Sequence, residues 1–167
     1  MIRGIGTQHA KEQRLVISSP LGLLELVAGG DTLRQLRFSE KGGVEDKPAG
    51  HSPILAECRR QLEEYFSGKR RRFNLSLDPQ GTAFEKEIWQ RLKRIPYGRT
   101  ASYKEIAQDI GRPRAVRAVG AANGKNPLAI IVPCHRVVGH NGSLTGYGGG
   151  LWRKQWLLDH ERRNVQV

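Results

Sequence analysis

Residues 102–123 read SYKEIAQDIGRPRAVRAVGAAN and predict two short helices that meet at a tight turn. Ser102 and Glu105 form a capping-box pattern at the start of the first helix. Gly111 stands where that helix is expected to stop, and the proline two residues later suits the first turn of the next helix. Alanine, valine and arginine favour a second helix over residues 114–123. Such a pair is typical of a helix-turn-helix.

The predicted second helix carries mainly small side chains on its exposed face. Small side chains let a helix backbone come close to a narrow surface, and the minor groove of DNA is about 6 Å wide. They are equally typical of tight packing between helices, so the two interpretations stay open at this stage. On the first interpretation, the residues expected to contact DNA are Ala115, Ala118, Gly120, Ala121 and Asn123.

Basic residues are concentrated in the second half of this 167-residue chain, whose net charge is +12. Residues 81–167 carry 15 basic and 6 acidic side chains, whereas residues 1–80 carry 13 and 10. No acidic residue occurs between Asp109 and Asp159, where seven cations are found. A polyanion such as a phosphate backbone is a common partner of such a stretch, although a solvated basic surface would have the same composition.

The first half has the pattern of a small antiparallel sheet followed by a helix. Short apolar runs at residues 15–17, 23–27 and 33–38 are separated by turn residues, which predicts a three-stranded meander. Apolar residues then recur at helical spacing over residues 54–66. Cys58 belongs to this stripe and is expected to face the core as an inert thiol.

The chain is therefore predicted to be an α/β protein of the α+β type with two domains. Residues 1–80 would form the sheet-plus-helix domain, within which residues 1–13 are expected to lack order. Residues 81–167 would form a mostly helical DNA-binding domain with the helix-turn-helix. Its first helix is predicted from residue 82, where Thr82 and Glu85 repeat the capping pattern.

Cysteine usage and hydropathy indicate an intracellular setting. Two cysteines with 75 residues between them cannot form the multiple bridges of a small secreted scaffold. No apolar run approaches the roughly 20 residues that a membrane helix needs, and the first residues lack the apolar segment of a signal peptide. We expect a cytoplasmic protein, or a nuclear one in a eukaryote, with no membrane association.

The second cysteine lies in a stretch that predicts chemistry. Residues 128–132 (LAIIV) predict a short buried strand that runs into Pro133, Cys134 and His135. Cationic neighbours are expected to lower the pKa of the Cys134 thiol and raise the fraction of nucleophilic thiolate. Successive side chains on a strand point to opposite faces, so Cys134 and His135 can cooperate only if the chain bends there or a water bridges them.

The residues around this cysteine resemble the signature of the alkylguanine-DNA alkyltransferases, single-turnover DNA repair proteins. The resemblance covers residues 81–167 at consistent spacing and the first half more loosely. It is carried by Asn126-Pro127, Ile131-Val132-Pro133-Cys134-His135-Arg136-Val137, Gly146-Tyr147, Trp156-Leu157-Leu158, His160-Glu161, Arg117-Ala118-Val119-Gly120 and Ser102-Tyr103.

The resemblance implies a role for each matching active-site residue. Cys134 would accept the alkyl group from O6 of a damaged guanine, or from O4 of an alkylated thymine. His135 would act through a water as its base, and Glu161 would hold His135 in the right tautomer. Asn126 would brace the active-site turn, and Tyr103 would push on a phosphate and help protonate the departing base.

The resemblance also implies the pocket and the DNA contacts. The carbonyl groups of Cys134 and Val137 would line the pocket with Tyr147, Gly148 and Gly149. Arg117 would take the place of the flipped nucleotide in the base stack. The expected partner is double-stranded DNA that contains alkylated guanine, bound by a monomer, and the sequence leaves open whether binding is cooperative.

Two other functions fit parts of the pattern. Cys134 and His135 would also suit a cysteine hydrolase, and the DNA-binding features alone would suit a non-catalytic damage sensor. Some members of the resembled family hold a structural zinc, but the first half offers only Cys58, His9 and His51, so we expect no metal and no cofactor. Trp152 and Trp156 are expected in the core, and His140 and His160 at the surface or a helix end.

Overall fold

The computed structural model describes residues 11–40 and 52–166. A three-stranded antiparallel sheet opens the chain, and its spatial order follows the sequence order. Its strands are β1 (Glu12–Ser19), β2 (Gly22–Gly29) and β3 (Thr32–Ser39). The predicted meander is confirmed.

One face of this sheet is apolar because β-strand side chains alternate between two faces. Leu15 pairs with Leu26, and Leu26 pairs in turn with Leu36, so that three buried leucines lie across the three strands. Glu12 and Gln13, which fall in the segment predicted to lack order, form the start of β1. Lys11 precedes β1, and residues 1–10 of that predicted segment lie outside the described residues.

Helices and short strands make up the remaining structure, and each predicted helix is present. The fold class is confirmed as α/β, with a small sheet and a mainly helical second half. The helices are α1 (Pro53–Phe66), α2 (Ala83–Leu92), α3 (Tyr103–Asp109), α4 (Val116–Gly124) and α5 (Leu151–Val165). A 3₁₀ turn, Cys134–Arg136, precedes β5 (Val137–Val138), which pairs in parallel with β4 (Ala101–Ser102).

The helix-turn-helix forms as predicted, with the second helix starting two residues later. The Ser102 hydroxyl accepts from Glu105 N at 3.0 Å, and the Glu105 carboxylate accepts from Ser102 N at 2.7 Å, which completes the capping box. Gly111 adopts φ +73°, a left-handed conformation that glycine reaches without a Cβ clash. Helix α4 is held against α2 by Trp89 Nε1, which donates to Ala122 O at 2.9 Å.

The segment after α4 is not the predicted strand. It makes one isolated bridge, between Leu36 of β3 and Leu128, and then turns. The physical reason is the Asn126 side chain, which accepts from Leu128 N at 3.0 Å and donates to Val132 O at 2.8 Å. These two bonds bring the ends of residues 128–132 together, and Ile130 takes φ +71° within the turn.

The two halves share one apolar core. Leu36 of β3 donates its N–H to Pro127 O at 2.8 Å and accepts from Ala129 N at 3.1 Å. The buried cluster runs without interruption from the sheet, through Leu62 and Tyr65 of α1, to Ile88 and Leu157 of the second half. The predicted domain boundary after residue 80 falls between α1 and α2. Within the described ranges, no helix is long and apolar enough to cross a membrane.

Candidate active site

A cavity of about 470 Å³ opens where β3, α3, α4 and the loop before α5 meet. Its lining includes β3 residues such as Phe38, so both halves of the chain contribute to its wall. Many residues that the sequence singled out lie here. The predicted site residues that line the cavity are Tyr103, Gly120, Asn123, Asn126, Cys134, Tyr147, Gly148 and Gly149.

Cys134 begins the 3₁₀ turn, is only 6% exposed and lines the cavity. Its N–H donates to Val132 O at 2.8 Å, and Arg136 N donates to Pro133 O at 3.0 Å. The chain therefore bends at Cys134, which is the bend that cooperation with His135 requires.

Two asparagine amides hold this turn. Asn126 Nδ2 donates to Val132 O at 2.8 Å, in accord with the bracing role expected for Asn126. Asn123 Nδ2 donates to Cys134 O at 3.4 Å. Asn123 is buried, so the structure places it in the cavity wall and not on the exposed face of α4 where a DNA contact was expected.

His135 and Glu161 form a fully buried pair behind Cys134. His135 Nε2 lies 2.8 Å from Glu161 Oε1, and neither side chain is exposed to solvent. His135 Nδ1 has no hydrogen-bond partner among the described residues. Because an ionised carboxylate only accepts, Nε2 carries the proton in this bond and Nδ1 of the neutral ring keeps its lone pair. This tautomer can accept a proton at Nδ1.

Glu161 is further held by Arg136, the residue that follows His135. Arg136 Nε donates to Glu161 Oε2 at 2.9 Å and Arg136 Nη2 donates to Oε1 at 2.8 Å, a bidentate pair. Arg136 Nη1 donates to Ile95 O at 2.7 Å, which satisfies the third nitrogen. Although burial raises the pKa of Glu161, the hydrogen bonds from His135 and Arg136 and the charge of Arg136 outweigh it and hold that pKa well below its usual range.

The expectation of a lowered thiol pKa is wrong for the unbound protein. Burial raises the pKa of Cys134 above its ordinary value, because the thiolate loses its hydration in the closed turn. A hydrogen bond with Asn126 and the charge of Lys154 act in the opposite direction but do not overcome burial. Burial likewise lowers the pKa of His135 and keeps the imidazole neutral, despite the attraction of Glu161. The resting pair is thus thiol and neutral imidazole.

The loop before α5 closes one side of the cavity. Lys154 is fully buried, and its ammonium donates to Thr145 O at 3.0 Å and to Gly146 O at 3.4 Å. Arg153 donates to Gly149 O at 2.7 Å and to Leu21 O at 2.8 Å, which ties the loop to the first half. A Cβ on Gly149 would come within 2.5 Å of the Phe38 ring, so glycine is required for this contact.

Tyrosines from α3 and from this loop lie at the cavity wall. The Tyr103 hydroxyl donates to Thr145 O at 3.1 Å, which joins the first helix of the helix-turn-helix to the loop. The Tyr147 ring packs edge-on against Phe38, with ring centroids 5.9 Å apart. The Tyr147 hydroxyl and Asn123 Oδ1 are buried without hydrogen-bond partners among the described residues. A bound polar molecule could satisfy both atoms.

The remaining predicted residues lie outside the cavity lining. Val137 is fully buried in β5, beside Ala101 of β4. On α4, Arg117, Ala118 and Ala121 are exposed, and Ala115, the N-cap residue just before α4, is half-buried, which presents a face of small side chains with one arginine. The contacts expected of these residues with substrate or DNA stay predictions.

Comparison with known proteins places this site in a family. The sequence model of the 6-O-methylguanine DNA methyltransferase DNA-binding domain matches residues 83–163, and that of its ribonuclease-like domain matches residues 14–79. A methylated-DNA--protein-cysteine methyltransferase of Methanosarcina barkeri is 48% identical over 90% of this chain and 98% of its own. The chain belongs to the 6-O-methylguanine DNA methyltransferase family.

Solved structures of family members share the fold of this methyltransferase. The O6-methylguanine methyltransferase of Mycobacterium tuberculosis has a TM-score of 0.82 and 45% identity, covering 92% of this chain and 94% of that one. A second structure, of Mycobacterium tuberculosis OGT in complex with DNA, has a TM-score of 0.80 and 46% identity, covering 89% and 92%. The resemblance drawn from the cysteine motif is confirmed.

Three residues of the methyltransferase site were not found from the sequence. Arg136 belongs to the cysteine motif but the resemblance implies no role for it, and Lys154 is one of the seven cations between Asp109 and Asp159. Tyr65 was assigned to an apolar stripe, yet its hydroxyl donates to Glu161 Oε1 at 2.8 Å. The signal for Arg136 was its place beside His135, whereas Lys154 and Tyr65 reach the site only through the tertiary fold.

Proposed function

We propose that this protein repairs DNA by direct reversal, by moving an alkyl group from O6 of guanine in double-stranded DNA to Cys134. Alkylated thymine, with its substituent on O4, is a second substrate of the same chemistry. The observation that carries the proposal is the cavity itself, in which one nucleophilic sulfur faces a space bounded by both helices of the helix-turn-helix.

The reaction needs a thiolate that forms only when it is used. His135 Nδ1 accepts the thiol proton through a water, while Nε2–H stays bound to Glu161. The sulfur then attacks the alkyl carbon, an S–C bond forms, and the C–O6 bond breaks with its electron pair on the base. The base takes up a proton, in which Tyr103 assists, so that guanine and a Cys134 thioether are the products.

Turnover is not expected from this chemistry. A thioether has no carbonyl that water could attack, unlike the acyl intermediate of a cysteine hydrolase. Each protein molecule therefore removes one alkyl group. The chemistry requires only the sulfur, a base and the positioning groups. A reaction of this kind needs no cofactor, and the sequence predicts none.

Entry of the base into the cavity requires that it leave the duplex. A guanine in the stack hides its O6 substituent, so the nucleotide must be extruded. The exposed small-residue face of α4 suits a minor-groove approach, and Arg117, which is exposed on that face, would fill the gap in the stack. The buried oxygens of Asn123 and Tyr147, which have no hydrogen-bond partner in the described part of the chain, supply hydrogen-bonding capacity for the extruded base. We further propose that the protein binds as a monomer.

Mass spectrometry of the intact protein and its peptides tests the proposal. After incubation with a duplex that contains one O6-methylguanine, the Cys134 peptide should gain one methyl group in a 1:1 yield, and the Cys58 peptide should gain none. The same duplex with unmodified guanine is the control. An unmodified Cys134 peptide would contradict alkyl transfer, whereas DNA binding without modification would favour the damage sensor.

A further inference from the structure

We propose that Tyr65 is a positioning residue for alkyl transfer, contributed by α1 of the first half. Its hydroxyl holds the Glu161 carboxylate that in turn holds His135. The inference rests on the proposed function and extends it, because it assigns part of the site to a helix outside the cysteine motif and outside the DNA-binding helices.

The Glu161 carboxylate is shared among three donors at one oxygen. Oε1 accepts from the Tyr65 hydroxyl and from Arg136 Nη2, and it lies against His135 Nε2. Each of these three distances is 2.8 Å. Oε2 accepts from Arg136 Nε at 2.9 Å and from Gly98 N at 3.3 Å. A carboxylate offers about four lone-pair sites, so these contacts saturate it. Tyr65 therefore competes with His135 for the same oxygen.

The Tyr65 hydroxyl is fixed in place by contacts that do not involve Glu161. The backbone carbonyl of Tyr65 accepts from His160 Nε2 at 2.8 Å. His160 is the residue before Glu161 in α5. The Tyr65 ring contacts Phe66 and Phe73 at 5.4 Å, His160 at 5.3 Å and Tyr97 at 6.1 Å between centroids. The whole residue is buried, so the hydroxyl meets Glu161 in one geometry.

Tyr65 acts as a donor at every working pH. Burial, together with the charge of Glu161, raises the pKa of its phenol well above the ordinary value, so the proton stays on the tyrosine. A donor that shares Oε1 draws part of the negative charge of the carboxylate away from His135. Without it, His135 would bind a proton more tightly and would rest less often as the neutral base that accepts from Cys134.

The other groups that face this network limit how far the pKa of His135 can change. Arg136 and Tyr65 contact Glu161 directly, whereas Tyr97 senses the charge of Glu161 but its hydroxyl makes no hydrogen bond among the described residues. Lys154 and Arg136 add positive charge near His135, which opposes its protonation. Cys134 faces the same space and stays a thiol. Removal of the Tyr65 hydroxyl leaves all of these other groups in place. The expected change in the pKa of His135 is therefore moderate.

The rate of methyl transfer as a function of pH tests this role in the full chain. Neutral His135 is the working form, so the rate rises with pH through the pKa of His135. In Tyr65→Phe the rising limb should move to higher pH by about half a unit to one unit, which lowers the rate at a pH on that limb by about three- to tenfold. The pKa of His135, followed by NMR of the protein without DNA, should move in the same direction.

Tyr97→Phe is the matched control. The Tyr97 hydroxyl is buried beside Tyr65 but has no hydrogen-bond partner among the described residues. Its removal should leave the pH profile where it is and change the rate by less than about twofold. If Tyr65→Phe lowers thermal stability but keeps the wild-type pH profile, Tyr65 is merely a packing residue and the inference is overturned.

A second substitution keeps the test open if Tyr65→Phe does not fold. Site-specific 3-fluorotyrosine at position 65 retains the ring and the hydroxyl but makes the hydroxyl a stronger donor, so the rising limb should move to lower pH. An unmoved limb would overturn the inference. Failure of the wild-type protein to acquire a methyl group would instead overturn the proposed function, and the two failures are thus distinct.

Discussion

Cys58 and Cys134 are both free, both buried and both placed in the same continuous core, yet their surroundings differ. Cys58 is completely enclosed in α1, and burial together with the charge of Glu57 raises the pKa of its thiol to about 12. Burial also raises the pKa of Cys134, but the hydrogen bond with Asn126 and the charge of Lys154 reduce that increase. In addition, Cys134 lines a cavity.

This difference shows that burial alone does not decide whether a thiol is reactive. Burial protects both sulfurs from water and disfavours both thiolates. Only Cys134 has a neutral histidine as its neighbour, a cation in range and space for a substrate. A buried nucleophile of this kind stays mainly a thiol, and therefore weakly reactive, until a substrate occupies the cavity. This limits its side reactions with other electrophiles.

Exchange of the Cys134 sulfur for oxygen gives the largest expected effect. Cys134→Ser should reduce methyl transfer by a factor on the order of 10³ or more, because a hydroxyl is a far weaker nucleophile at neutral pH. Affinity for duplex DNA should be retained. Transfer of methyl from a radiolabelled duplex measures the reaction, and a filter-binding titration measures the affinity for DNA. Transfer at the wild-type rate by Cys134→Ser would remove the sulfur from the mechanism.

Removal of the buried cation should bring Cys134 closer to the inert state of Cys58. In Lys154→Met the pKa of the Cys134 thiol should rise further, and its modification by iodoacetamide at pH 8 should slow about tenfold. Lys125→Met, at an exposed lysine that pairs with Glu85, is the control and should leave the rate unchanged. An equal rate in all three proteins would mean that the ammonium does not influence the sulfur.

The pH dependence of stability should report the neutral histidine beside Cys134. The pKa of His135 is lowered in the folded protein, so the unfolded chain binds more protons below the ordinary value of 6.5. Stability is therefore fully present above that pH and falls as the pH decreases, by at most about 1.4 kcal/mol per unit. Urea unfolding between pH 5 and 8 measures the slope. The slope should flatten in His135→Gln and stay unchanged in His140→Gln, at an exposed position.

The smallest expected effect concerns Cys58. Cys58→Ala removes one buried atom from a packed core and should lower the free energy of unfolding by about 1 kcal/mol. Methyl transfer measured at 25 °C should not change, because Cys58 lies among α1 side chains and does not line the cavity. Loss of transfer in a folded Cys58→Ala protein would contradict the separation of the two sulfurs.

Local patterns in the sequence were sufficient for the elements and for the nucleophile. The short apolar runs and turn residues in 15–38 predict the sheet, the two capping patterns locate α2 and α3, and the spacing around Cys134 identifies the family. These features depend on residues that are close together in the chain. Each can therefore be recognised without knowledge of the tertiary contacts.

Features that depend on one particular side-chain partner were missed or predicted wrongly. The strand expected at 128–132 is a turn because the Asn126 side chain captures its backbone. Trp152 is 56% exposed instead of buried. His160 is buried instead of exposed, because Trp156 stacks on it at 4.8 Å and Tyr65 O accepts its proton. Hydropathy describes a residue in isolation, whereas these outcomes depend on its partner.

The contact between Phe38 and Gly149 has a consequence for the evolution of the molecule. The aromatic ring of one half occupies the volume that a side chain of the other half would need. A chimera that combines the sheet of one relative with the helices of another must therefore inherit a compatible pair at these two positions. We expect large residues at position 38 and small ones at position 149 to covary, so that recombination at the junction between the halves succeeds only between matched parents.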